Sequence, residues 1–80
     1  MSIDKELVEE LKDNLKWARN LIEEALKYHV PHINEFSSVE DWAALWEVVA
    51  TAREHLSQAL RIVEKLAEQA SKTRAEGEKL

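Results

Sequence analysis

The sequence predicts an all-α fold: an antiparallel helical hairpin with unequal arms, expected to dimerise into a four-helix bundle. Three observations predict it. Apolar residues recur at three- and four-residue steps through two long segments, the spacing of one face of an α-helix. One glycine and one proline in 80 residues are too few for the turns and corners of a β protein. The proline stands in the one short stretch, residues 30–37, that breaks the periodicity between the two segments. The expected organisation is a single helical-hairpin domain, residues 1–80. A helix spans about 3–29, a bend 30–37, a long helix about 38–76 and a polar tail 77–80.

In the first helix, Ser2 is the expected cap, with Asp4 and Glu6 in the first turn, where negative charge suits the helix dipole. Leu7, Val8, Leu11, Leu15, Ala18, Ile22, Ala25 and His29 form its apolar stripe, widened by Leu21 and Leu26. Pro31 is expected to end the run, because the residue before a proline is pushed out of the helical region. Two capping boxes compete for the restart, Ser37 with Glu40 and Ser38 with Asp41.

The second helix carries heptads. With Trp42 as position a, the a and d positions are Trp42, Leu45, Val49, Ala52, Leu56, Ala59, Val63, Leu66, Ala70 and Thr73, while Trp46, Leu60 and Ala67 at e add a third row. Three rows suit a helix that faces more than one neighbour. Gly77 is the expected stop. Folding at the bend places Leu7 near residue 60 and leaves the polar stretch after about Leu66 beyond the first arm. Alanines on both seams let the backbones approach closely. A lone hairpin would leave one side of so wide a stripe wet, and a second hairpin would cover it.

Bulk properties limit the functions. With no cysteine, neither disulfides nor thiolate metal sites are available to a chain of this size, and oligomerisation is the common remaining source of stability. A net charge of −5 with no basic block disfavours nucleic-acid phosphates and anionic membranes. No apolar run approaches the ~20 residues of a membrane span, and the acidic first residues do not resemble a signal peptide. The expected compartment is the cytoplasm.

The chemical candidates are few. His29, His32 and Glu35 follow an H-x-x-H-x-x-E spacing whose donors suit zinc, although Pro31 interrupts it. His55 stands ~20 Å along the second helix from Trp42 and can join them only from a second chain. The plainer reading makes His29 the end of the apolar stripe, His32 and Glu35 the cover of the bend, and His55 a structural neighbour of Asn14, and no cofactor is expected. Tyr28, Phe36, Trp42 and Trp46 gather near the bend. They are either anchors for a partner or a plug closing one end of the core, and the plug is favoured. Trp17 lies off the stripe and is a candidate anchor if exposed.

The carboxylate pairs Glu9–Glu10, Glu23–Glu24 and Glu40–Asp41 read as solvated helix faces. Glu6–Glu9 and Glu10–Asp13 resemble the E-x-x-E and E-x-x-D spacings of MazG-like pyrophosphohydrolases, but no acidic partners match them on the second helix. In architecture alone the pattern resembles the dimeric hairpin bundles of the plasmid-encoded, RNA-binding Rop proteins, and the charge balance argues against RNA here. The expectation is a non-enzymatic interaction module, an adaptor or inhibitor, which pairs with itself and with a protein of basic surface. A metal-binding helical protein or an acidic nucleic-acid mimic is the alternative.

Overall fold

The computed structural model describes the backbone of residues 3–78 and the side chains of residues 3–72. Two helices, α1 (Lys5–Glu24) and α2 (Val39–Glu78), pack against each other as a hairpin, and no strand is present among the described residues. The shape is a rod of 66 × 16 × 14 Å with a radius of gyration of 18.6 Å, against about 12 Å for a compact chain of this length. No helix among the described residues is long and apolar enough to cross a membrane.

Asp4 starts α1. Its carboxylate accepts the N–H groups of Glu6 and Leu7 at 3.0 and 3.4 Å, satisfying two donors that lack a partner within the helix. Ser2, the expected cap, lies outside the described residues. The helical run does not stop before Pro31. A π-helical turn, Ala25–His29, follows α1 directly, and a 3₁₀ turn, Val30–His32, carries Pro31 in its first positions. An α-helical Pro31 would clash with the carbonyl four residues earlier. Widening the preceding turn, so that the Val30 N–H reaches the Ala25 carbonyl, changes the register ahead of the ring.

Ile33 is extended and begins the bend proper. Asn34 and Ser37 then close a turn around Glu35 and Phe36. The Asn34 side chain accepts the Phe36 N–H at 2.7 Å, and the Ser37 hydroxyl accepts the Asn34 N–H at 2.8 Å. With Ser37 so used, the capping box falls to Ser38 and Asp41. The Ser38 N–H donates to the Asp41 carboxylate at 3.0 Å, and the Asp41 N–H donates back to the Ser38 hydroxyl at 3.2 Å. At its far end α2 runs through Gly77 to Glu78. Glycine lowers helix propensity by about 1 kcal/mol without forbidding the conformation.

The hairpin register is fixed at two points. Asn14 stands opposite His55, and the Asp4 N–H reaches the Gln69 side chain at 3.4 Å. Leu7 is therefore level with residues near 65, not 60, and α2 outruns α1 after Gln69, not after Leu66.

The seam itself differs from the expected one. The buried residues are Ala18, Ala25, Ala52, Ala59 and Ile62. On α2 the inward positions are d (Leu45, Ala52, Ala59, Leu66) and g (Val48, His55, Ile62, Gln69), all buried or half-buried. The a positions Trp42, Val49, Leu56 and Val63 are exposed instead, as is Ala70. One neighbouring helix covers an arc of only two rows. α1 occupies the d/g arc, where the alanines let it come close, and leaves a/e open.

Candidate interaction surface

The open a/e rows of α2 do not stand alone. On α1 and the π-helical turn that follows it, Leu7, Leu11, Asn14, Ala18, Leu21 and Ala25 turn toward α2, while Leu15, Ile22 and Leu26 are exposed. These two exposed rows lie on the same side of the hairpin, because one shallow groove of about 290 Å³ is lined by residues of both, including Ile22, Leu26, Val30, Leu45 and Val49. A second groove continues along α2 past Trp42 and Trp46. The result is an apolar face that both arms share near the bend and that the exposed Leu56, Leu60 and Val63 continue along α2, with no second layer above it among the described residues.

The aromatic candidates divide between this face and other surfaces. Trp42 and Trp46 line the second groove. Phe36, at the tip of the bend turn, is 87% exposed, and Tyr28 is exposed too. The four rings therefore do not plug the core of the single hairpin. The core at that end is Ala25 with Leu45, and alanine-spaced helices leave no room between them for an indole.

Trp17 is 58% exposed, yet its ring is engaged. It stacks on the His55 imidazole with centroids 5.9 Å apart and planes 11° from parallel. His55 also meets Asn14, Nδ1 to Oδ1, at 2.9 Å. The Asn14 amide donates from Nδ2 to the Glu10 carbonyl at 3.0 Å, which orients its oxygen toward the ring. An oxygen acceptor requires a proton on His55 Nδ1, so the network assigns that tautomer. The expected Asn14–His55 pair thus exists, and it pins the hairpin register. The stacking partner was not legible, because Trp17 falls outside the apolar stripe on α1.

The remaining candidates stay apart. His29 is half-buried at the end of the π-helical turn, and His32 and Glu35 are exposed on the bend. Half the length of the hairpin separates His55 from them. Among the described residues no group of three His, Cys, Asp or Glu side chains is gathered as a metal ion would need. The ion pairs Glu9–Lys12, at 3.4 Å, and Glu68–Lys72, at 4.0 Å, are both exposed and join neighbours on one helix face. Such pairs contribute at most tenths of a kcal/mol to about 1 kcal/mol.

No family model, no curated protein and no solved structure matches the chain.

Proposed function

We propose that the chain is a non-enzymatic protein–protein interaction module that works as a homodimeric four-helix bundle. The observation that carries this reading is the apolar face on one side of the hairpin. Trp42, Val49, Leu56, Leu60 and Val63 on α2, Leu15 and Ile22 on α1 and Leu26 in the π-helical turn are all exposed there. Monomeric proteins rarely leave so large a contiguous apolar surface open. The area agrees. The chain exposes 6682 Å², whereas a compact monomer of its mass would expose about 5000 Å². Part of the excess belongs to the segment of α2 beyond Gln69. Even half of it, about 800 Å² on each chain, matches one side of a standard stable interface.

A second hairpin is the occupant that best fits the shape. Two rows on each of two adjacent helices need a partner two helices wide, which another copy supplies. The surfaces left outside such a bundle, bearing the net charge of −5 and the half-exposed Trp17, would then face a second protein of basic character. Sedimentation equilibrium at micromolar concentration tests the self-association. The expected mass is twice the 9.3 kDa of one chain, and the mass of one chain would remove the reading.

A further inference from the structure

We infer that two copies pair about a twofold axis perpendicular to the helices, so that α2 crosses α2 of the second copy antiparallel and the two bends lie at opposite ends. This rests on the dimer proposed above and adds its orientation.

A flat two-helix face can meet its copy in two ways. With the axis along the bundle, both bends fall at one end and α2 lies over α1 of the second copy. With the axis across the bundle, α2 lies over α2, α1 lies over α1, and the bends separate. The positions of the exposed residues distinguish the two.

On α2 the open row runs from Trp42 to Val63, and its midpoint falls between Ala52 and Arg53. On the first arm the exposed apolar residues of this side are Leu15, Ile22 and Leu26, with Val8 half-buried. Because Asn14 stands opposite His55, residue 17 is level with Ala52. A perpendicular axis at that height maps the α2 row onto itself. Trp42 then meets Val63 of the second copy, Trp46 meets Leu60, and Val49 meets Leu56. On the first arm the same axis sets Leu26 against Val8, and sets Leu15 and Ile22 against the apolar stems of Arg19 and Lys12.

Each large ring is thereby matched to a smaller side chain, and the bundle keeps an even thickness. The other axis gathers Trp42, Trp46 and Phe36 of both copies at one end and leaves Val8 and Val63 at the other. Such a wedge is either overpacked at the aromatic end or hollow at the valine end, and both destabilise. The bend gives a second reason. Phe36 and Val39 are the most exposed large apolar residues among those described. In the antiparallel pair, α2 of the second copy passes them at the level of Leu66 to Gln69. Arg53 does approach its copy near the axis. It lies exposed on the outer edge of the row, where a long side chain keeps its charged head in water.

The chain has no cysteine, so single-cysteine spin labels report cleanly. Ser57→Cys and Lys72→Cys are both exposed positions on α2. Electron–electron dipolar distances are to be measured on each variant after sedimentation has given its mass. Across the perpendicular axis, the rise per residue places the labels about 14 Å apart along the bundle at position 57 and about 58 Å apart at position 72. A short separation at 57 with a long one at 72 is the expected result. Short separations at both, within the bundle's width, would overturn the orientation and leave the dimer standing. A single-chain mass with no dipolar coupling in either variant would overturn the dimer itself.

Discussion

Val49→Glu is the sharpest single perturbation of the apolar face. Val49 lies near its centre, lines both grooves and is 53% exposed in the single hairpin. Full burial of a valine is worth at least about 1.5 kcal/mol. In the proposed dimer, covering the exposed half would therefore contribute about 1 kcal/mol per chain, and about 2 kcal/mol per dimer because symmetry repeats the site. The replacement carboxylate adds the larger effect. Placing an unpaired charge in an apolar interface costs several kcal/mol per ion, and the dimer would hold two. The total is at least about 6 kcal/mol, a weakening of roughly 10⁴-fold in Kd.

Within one hairpin the same change is mild. Val49 does not face α1, and glutamate has the better helix propensity. Light scattering across a dilution series therefore separates the two levels of structure. The variant is expected at the mass of one chain where the parent is a dimer. Gln58→Glu, which adds the same charge on the exposed outer side of α2, should keep the parent's mass. A Val49→Glu protein that remains a dimer at micromolar concentration would refute the assignment of the a/e face to self-association.

Three further outcomes follow from the fold. In a double-mutant cycle, Asn14→Ala and His55→Ala should couple by about 0.5–1.5 kcal/mol in chemical denaturation, the net worth of one neutral hydrogen bond, and strict additivity would remove the register role given to the pair. Ser38→Ala should cost about 0.5–2 kcal/mol through loss of the α2 cap, and more than Ser37→Ala, whose hydroxyl serves the bend turn; equal losses would mean that the capping register is misassigned. Ala18→Leu, at the most buried position of the seam, should destabilise by about 1–3 kcal/mol through overpacking between close backbones, and a neutral effect on the thermal midpoint would mean that the helices are not so tightly apposed.

The hairpin was legible in the sequence because two periodic segments meet at one aperiodic stretch, and no other arrangement of so few glycines and prolines was available. The Asn14–His55 pair was legible because a polar residue interrupts an apolar edge and the bend fixes what lies opposite. The seam was legible only in part. The heptads marked an apolar stripe of three rows, and a/d is the seam that two long helices of matched phase would share. In this chain the partner helix is short, begins across a bend and packs on alanines, so it settles against d and g. Ile62 is buried at a g position that the a/d pattern did not include. The width of the stripe was the useful signal, since a third row has no purpose in a helix with one neighbour. The π-helical turn before Pro31 was not legible, because periodicity does not report a single widened turn.

The distribution of side-chain size gives the hairpin its character. Of the five buried residues between the two arms four are alanines, and many of the large apolar side chains stand on the outside. Each alanine brings the backbones together but removes little apolar area from water, so the single hairpin gains less hydrophobic stabilisation than its composition would permit. The valines, leucines and indoles that could supply the rest stand on one side, with the indoles of α2 toward the bend and its leucine and valine residues toward the other end. A chain stabilised chiefly by its own hairpin would place those residues at d and g, where α1 would cover them. Their placement at a and e, on the face that α1 leaves open, would make the second copy of the proposed dimer a part of the hydrophobic core rather than an addition to a finished fold.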